Sequence, residues 1–388
     1  MNHKRLWLLA LPLALLSLAS CAGVGERPAP SLEDWAVAAD ALTMLRARII
    51  SVDSEVEQES TDDEGQGVRT TLFTARITSG PMRGCVVSGQ LVVHSSASYP
   101  VRPPRTGNSI FLMPSWDADG LPLGDFGDYN RTAGLLALFV IFVAVLCIVG
   151  GKVGARSLLA LVFTCAGIVF IFIPMVKAGV SPIFAALLIS ALVTVITLAV
   201  IGGFGAKTFA ALLGIITGLI ISGILTTIMQ AAMKLTGVVD NEALLLSQRV
   251  GMEGVSLNGL MFAAILIGAL GAAMDVGVSI ASALEELNRK SGLQGAELVE
   301  SGMRIGRDVM GTMTNTLVLA YVGGSLHLML LISVESAQLD YLLSWELIAT
   351  ELLRALAGSV GLICIVPATA LVSAVFCRVK TAPENPFA

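Results

Sequence analysis

A succession of long apolar stretches limits the fold of this chain more than any other feature. Beyond Arg131, seven stretches rich in Leu, Ile, Val, Ala and Gly follow one another at about residues 132–150, 156–176, 181–203, 208–233, 258–284, 309–333 and 347–377. A helix of about 20 apolar residues crosses the roughly 30 Å hydrocarbon core of a bilayer. Because none of these stretches alternates apolar and polar residues as a strand does, we predict seven membrane-spanning helices in a polytopic α-helical membrane protein.

The composition of the whole chain agrees with a membrane protein and excludes other classes. Hydrophobic residues make up 55% and charged residues 14% of the sequence, and the mean hydropathy is +0.81. The net charge of −5, without any block of Lys and Arg, excludes nucleic acid as a partner. Only three histidines are present and no Cys-x-x-Cys spacing occurs, so we expect neither a metal site nor a cofactor.

The first 21 residues have the pattern of an export signal. Lys4 and Arg5 precede a short apolar run, and small residues follow that run. This order is typical of secretory signals. The tetrad LASC, which ends at Cys21, resembles a bacterial lipobox and makes Cys21 a candidate lipidation site. An uncleaved signal anchor is the alternative, and in both cases the next segment is exported.

The segment from residue 22 to residue 130 differs in composition from the rest of the chain. Four stretches alternate apolar and polar positions, namely LTMLRARIISVDSEVEQ, RTTLFTARITSG, RGCVVSGQLVVHSS and NSIFLMPSW. Such alternation predicts half-buried strands, and turn-forming stretches such as STDDEGQG and SYPVRPPRTG separate them. We predict four or five strands in a small exported all-β barrel of the OB or SH3-like type.

The distribution of Lys and Arg predicts the orientation of residues 131–378, the membrane domain. If residue 131 lies outside, nine positive residues fall on the inner side and three on the outer side, and cytoplasmic loops carry the excess of positive charge. We therefore expect the protein in the bacterial plasma (inner) membrane, with residues 22–130 outside. Residues 379–388 then form a cytoplasmic tail.

An acid lies inside the fifth apolar stretch. A bare carboxylate in the middle of a spanning helix costs about 2.5–3.5 kcal/mol on insertion scales. Asp275 shares a helical stripe with small and polar residues, among them Gly268, Gly271 and Ser279. Such a stripe is expected to face protein or water. The alternative is that Asp275 is a neutral or hydrogen-bonded acid with a packing role only.

The next stretch offers polar partners at a similar depth. Thr312, Asn315 and Thr316 share one helical face, about 10 Å from the inner end by the helical rise. We predict a polar cluster in the inner half of the membrane, formed by Asp275, Ser279, Thr312, Asn315 and Thr316. The alternative is that the Thr and Asn side chains are interhelical contacts worth about 0.6–2 kcal/mol each.

Two further patterns concern the packing of the helices. Glu351 and Arg354 are i,i+3 neighbours and could pair on the last helix, where the apolar run starts only at Ala355. We therefore interpret them as a charge pair at the outer boundary that anchors the helix. The GIITG motif, from Gly214 to Gly218, predicts close helix packing. Residues 295–307 combine apolar and charged positions and are expected to lie along the inner interface.

Three stretches strongly resemble the YibE/F family of bacterial membrane proteins: GALGAAMDVGVSIASALEEL, SGMRIGRDVMGTMTNTLVLAYVGGSL and IATELLRALAGSVGL. The resemblance runs from about residue 42 to about residue 377 and is most specific over residues 258–360. It implies an exported β-rich part, a helical membrane domain and a permease-like character, but no chemistry and no catalytic residue. The lipobox at Cys21 departs from the expected family pattern.

Two functions of different classes remain. In the first, the protein is a permease that moves an ion or small solute through the polar cluster in the helix bundle. In the second, it is a membrane-anchored sensor or assembly factor whose exported β domain binds a protein partner. We expect no enzymatic activity, because the predicted spans contain neither H-E-x-x-H nor paired Gly-Asp motifs. A nucleotide-driven transporter is disfavoured because no phosphate-binding G-x-x-x-x-G-K-[ST] motif exists.

Overall fold

The computed structural model of the protein describes residues 29–41, 43–59, 67–94, 102–203, 205–239, 241–248, 254–334 and 338–376. The predicted export signal with Cys21 and the predicted tail 379–388 lie outside these residues. The chain divides into two units, and the division falls between Ile141 and Phe142. This position lies inside a helix that begins at Thr132, about ten residues beyond the boundary expected from composition.

The first unit contains a closed five-stranded barrel. Helix α1 (Leu32–Asp40) precedes the strands β1 (Leu45–Glu59), β2 (Gly67–Ile77), β3 (Val86–His94), β4 (Ser109–Trp116) and β5 (Pro122–Tyr129). The strand order around the barrel is β1-β2-β3-β5-β4, and β4 returns to pair with β1. All pairs are antiparallel except β3 with β5. The prediction of a small all-β barrel is therefore confirmed.

Period-two alternation in the sequence decides which side chains fill the barrel. Phe73, Ala75 and Ile77 of β2 are fully buried, and so are Ile110 and Leu112 of β4. Successive side chains of a strand point to opposite faces, so the residues between them face outward. The four stretches with clear alternation correspond to β1 to β4. The fifth strand, PLGDFGDY, carries no such alternation and is held by pairing with both β3 and β4.

The second part of the chain is helical. Its elements are α2 (Thr132–Gly167), a π-helical turn (Ile168–Phe172), α3 (Ile173–Lys177), α4 (Pro182–Gly202), α5 (Ala206–Ala232), α6 (Asn241–Ser247), α7 (Leu257–Ser291), α8 (Gly295–Gly324), α9 (Leu326–Val334), α10 (Leu339–Leu343) and α11 (Glu346–Phe376). Within the described residues, five helices are long and apolar enough to cross a membrane. A sixth crossing results if the bent pair α8–α9 is one span.

The first apolar helix is too long for one crossing and is broken at Gly151. The helical run from Thr132 to Lys177 has 46 residues, or about 70 Å at 1.5 Å per residue. Gly151 has φ 54° and ψ −130°, which is not helical. Next to this break, Gly154 lies against the backbone carbonyl of Leu146, so the chain bends sharply. The predicted spans 132–150 and 156–176 lie on either side of the bend.

We expect Gly151→Ala to destabilise the membrane domain by about 1–3 kcal/mol, because a Cβ atom disfavours this backbone conformation. The measurement is thermal unfolding of the detergent-solubilised protein. Gly150→Ala is the matched control, since Gly150 has no positive φ and open space around its Cα. Equal stability of the two variants would contradict the conclusion that the bend requires a glycine at position 151.

The expected sixth span, residues 309–333, is part of a longer helix that then breaks. Helices α8 and α9 meet at Ser325 with a bend of 63°. Residues 295–307 form the first turns of α8, and their position along the inner interface stays a prediction. Gly302 packs against Leu284 and Gly306 against Val366, so this part of α8 packs closely on α7 and α11.

The core of the membrane domain lies where α5, α7 and α11 meet. Gly214 of α5 contacts Thr369, and Gly218 contacts Ile365 and the backbone of Gly361. The prediction that the GIITG motif mediates close packing is confirmed. Small residues allow two helix backbones to approach each other, which increases van der Waals contact where no hydrophobic effect between helices is available.

Candidate functional site

The polar stripe on α7 lies opposite the face that packs into the bundle. Ala273, Val276 and Ile280 are buried, whereas Asp275 and Ser279 are exposed. These positions follow from the helical period of 3.6 residues, which separates two faces of α7. The structure therefore places the carboxylate of Asp275 on the outer surface of a single chain.

The predicted partners on α8 are also exposed. Thr312, Asn315 and Thr316 all lie on the side of α8 that faces away from its buried residues. The hydroxyl of Thr312 donates to the carbonyl of Val309 at 3.0 Å. The hydroxyl of Thr316 donates to the carbonyl of Thr312 at 2.9 Å. Two of the three side chains thus satisfy their hydrogen bonds within their own helix.

The depths of the two polar sets agree, although the side chains are not joined. Leu284 of α7 contacts Gly302 of α8, and the Tyr321 hydroxyl lies beside Gly268. Asp275 lies between these two contacts along α7, at the level of Thr312. However, no hydrogen bond or ion pair joins Asp275 to another residue within the described ranges. The five residues therefore share a level in the membrane domain without forming a hydrogen-bonded network, and their functional role stays a prediction.

A second polar group occupies a cavity near one end of the bundle. We call this cavity the ion-pair cavity, and its volume is about 550 Å³. It is lined by the segment after α5 and by α6 to α9 and α11. The lining residues include Gly237, Glu242, Tyr321, Ser325, His327, Glu351 and Arg354. Ligand pockets commonly have volumes of about 300–1,000 Å³. The cavity is therefore large enough for a small solute.

Glu351 and Arg354 form the predicted ion pair inside this cavity. The Arg354 Nη1 atom donates to Glu351 Oε1 at 2.8 Å, and the Ser325 hydroxyl donates to Glu351 Oε2 at 2.9 Å. The Arg354 side chain is only 28% exposed and the Glu351 side chain only 20%. The role of the pair as an anchor at the outer boundary of the membrane stays a prediction. In the structure the pair lines a cavity, because the bend at Ser325 brings the α8–α9 junction against α11.

Two buried polar atoms next to the pair have no hydrogen-bond partner within the described residues. They are the Nε atom of Arg354 and the hydroxyl oxygen of Tyr321. Burying a donor without a partner costs about 1–3 kcal/mol, so such groups are expected to bind water or a ligand. A Cβ atom on Gly268 would lie 2.7 Å from the Tyr321 hydroxyl, so glycine leaves room for it.

A carboxylate that sequence reasoning missed fixes one wall of the cavity. Glu346, at the start of α11, accepts hydrogen bonds from the backbone N–H of Thr236 at 2.5 Å and of Gly237 at 2.7 Å. The Thr236 hydroxyl donates to the same carboxylate. The segment after α5 is thereby held to α11. The KLTG stretch contains the turn that donates these hydrogen bonds, but nothing in it points to an acid 110 residues further on.

Tyr321 and Ser325 were also missed as site residues. Their signal is the sequence YVGGS, in which a polar residue follows two glycines inside an apolar run. Such a combination is typical of a break in a spanning helix, where freed backbone groups need polar partners. Within the described residues, no three His, Cys, Asp or Glu side chains come together in a way that could hold a metal ion.

Comparison with known proteins supports the membrane assignment. The model of the family described as YibE/F-like protein matches residues 138–379. No significant match is found among curated proteins or among solved structures. The matched range covers more than half of the chain, includes every long apolar helix from α4 to α11 and begins inside α2. The protein is thus a member of the YibE/F-like family, with several helices suited to a membrane.

Proposed function

We propose that the protein is a permease that moves an ion or small polar solute, and that the solute enters through the ion-pair cavity. The observation that carries this proposal is a half-buried Glu351–Arg354 pair in a cavity of about 550 Å³. A carboxylate and a guanidinium together bind solutes that carry both a donor and an acceptor. A charged pair is a costly choice for a position that only needs packing.

The Tyr321 hydroxyl connects the cavity to the stripe on α7 that contains Asp275. Tyr321 lines the cavity, and its hydroxyl lies beside Gly268, where the stripe on α7 begins. Asp275 follows Gly268 by seven residues, which is about 10 Å along the helix. We propose that Asp275, Ser279, Thr312, Asn315 and Thr316 serve the solute or a coupling ion at this level. Because Asp275 is exposed on a single chain, the proposal requires water or a neighbouring molecule on that side.

The proposed topology has seven spans in the bacterial inner membrane. The two halves of α2 on either side of Gly151 count as separate crossings, and the pair α8–α9 counts as one. With the barrel outside and the C-terminus in the cytoplasm, the ion-pair cavity belongs to the outer half of the bundle. We assign the exported barrel to the OB type, because OB folds are five-stranded Greek-key barrels. The proposed role is not enzymatic.

Flux through proteoliposomes tests the function. The protein is reconstituted, and efflux of loaded cations, anions, amino acids and sugars is screened. We expect Glu351→Gln to lower the flux of the transported solute by about tenfold or more, the factor that corresponds to one lost charge-assisted hydrogen bond of about 1.5–3 kcal/mol. Asp275→Asn is expected to lower the flux of the same solute.

Matched controls separate transport from folding. Glu300→Gln changes an ion pair of the same type, with Arg304, that is largely exposed on α8. This variant should keep wild-type flux. Absence of flux for every class of solute in the wild-type protein would overturn the permease proposal. It would favour the anchored sensor or assembly factor, for which cross-links from the barrel should capture one specific protein.

A further inference from the structure

The barrel carries a basic cleft that the proposed transport function does not use. The cleft has a volume of about 680 Å³ and is lined by Arg102, Pro103, Arg105, Asn108, Tyr129 and Arg131. Three of these six residues are arginines, whose planar guanidinium groups suit phosphate oxygens better than a lysine ammonium does. The lining therefore points to an anionic ligand.

The positive charge of this basic cleft is only partly neutralised. Arg131 Nη1 lies 2.6 Å from Asp128 Oδ2. The hydrogen bond from Arg131, together with that from the Tyr129 backbone N–H, holds the pKa of Asp128 below its ordinary value, so Asp128 stays ionised at neutral pH. Arg102 and Arg105 have no carboxylate partner in the part of the chain that the structure describes. Two positive charges thus remain available to a ligand.

Hydrogen bonds hold the basic cleft open without a ligand. The Tyr129 hydroxyl, at the end of β5, donates to the Arg102 carbonyl at 2.8 Å. The Arg105 backbone N–H donates to Asn108 Oδ1 at 2.9 Å. These bonds fix the backbone at both ends of the segment 102–108, so the backbone is already ordered when an anion binds. Such preorganisation increases affinity.

Chain connectivity places the basic cleft at the level of lipid headgroups. Arg131 directly precedes α2, which begins at Thr132. Leu135, Leu136 and Leu138 are apolar and exposed, as expected of side chains in contact with acyl chains. Arg131 and Tyr129 therefore lie within a few residues of the hydrocarbon boundary, where Tyr is enriched in membrane proteins.

We propose that this cleft binds the phosphodiester headgroup of an anionic phospholipid in the leaflet next to the barrel. Arg102 and Arg105 contact the phosphate oxygens, while Arg131 and Tyr129 border the headgroup on the side of the membrane helix. Basic side chains near an anionic membrane surface each contribute to binding, and the contributions add. Binding here links the barrel to the membrane at the point where the chain enters it.

The test measures lipid retained by the full-length protein. The protein is purified in detergent with phosphatidylglycerol, and bound lipid is counted by native mass spectrometry as the lipid is titrated. We expect Arg102→Gln/Arg105→Gln to weaken phosphatidylglycerol binding by about 30-fold, the factor for two lost arginine–headgroup attractions. Phosphatidylcholine retention should not change. Thermal unfolding of each variant checks that the barrel remains folded.

A charge-matched control makes the result specific. Arg46→Gln/Arg83→Gln removes two exposed arginines that do not line the basic cleft, and it should leave binding unchanged. Equal loss in both double variants would overturn the proposal in favour of a general attraction between the barrel and anionic lipid. Unchanged binding in the cleft variant would also overturn it. Displacement of the lipid by millimolar inorganic phosphate would identify a free anion as the ligand instead.

Discussion

Replacing Gly218 by leucine is expected to prevent α5 and α11 from packing and to cost about 3 kcal/mol or more of stability. A Cβ atom at Gly218 would overlap Ile365 and lie 2.7 Å from the carbonyl oxygen of Gly361. The Cβ of Gly361 would in turn lie 2.8 Å from the carbonyl oxygen of Gly218. Each glycine meets the backbone of the other helix, so no change of side-chain rotamer can relieve the overlap.

The measurement for Gly218→Leu is thermal unfolding of the protein in mild detergent, followed by circular dichroism, with size-exclusion chromatography to detect aggregation. Gly311→Leu is the matched control, because Gly311 lies on the exposed face of α8 and a Cβ there meets no atom within 4 Å. A control variant with wild-type stability and a Gly218 variant that fails to remain monodisperse are the expected results. Wild-type stability of Gly218→Leu would show that the two helices are not in close contact.

Replacing Trp35 by alanine is expected to destabilise the barrel by about 3–5 kcal/mol, the usual range for truncating a buried tryptophan. Trp35 is 0% exposed. Its indole N–H donates to the Ser115 carbonyl at 2.8 Å, which joins α1 to β4 across 80 residues of sequence. The alanine variant leaves a cavity and an unpartnered carbonyl group. Trp35→Phe fills most of the space and should cost about 1 kcal/mol for the lost hydrogen bond.

Hydrogen exchange of the barrel amides in the full-length protein measures this effect without interference from the membrane helices. Val37→Ala is the control, because Val37 is on the same helix but 69% exposed. Exchange in β4 should accelerate strongly in the Trp35→Ala protein and not in the control. Unchanged protection of β4 would mean that α1 contributes nothing to the stability of the barrel.

The level of Asp275 along α7 could be predicted from the sequence, whereas the face of α7 that packs against other helices could not. Asp275 and Thr312 do lie at one level, since depth depends only on the rise per residue and on where each helix begins. Which face of α7 is buried depends on the neighbouring helices. Because Gly277 has no side chain, Ile215 of α5 packs directly against it, and the face of α7 that contains Gly277 is buried. In a bilayer both faces of such a helix are largely apolar, and the pattern alone does not determine which one meets protein.

Local patterns in the sequence determined the element types, the barrel class and the family. Run lengths near 20 residues and period-two alternation act over a few neighbouring residues, so they can be interpreted without knowing the fold. Only the tertiary structure decided the strand order, the bend at Ser325 and the ion-pair cavity. Each of these depends on contacts between segments far apart in the chain, such as Ser325 with Glu351 and Thr236 with Glu346. Whether such groups meet is decided by how whole helices pack, which local patterns do not encode.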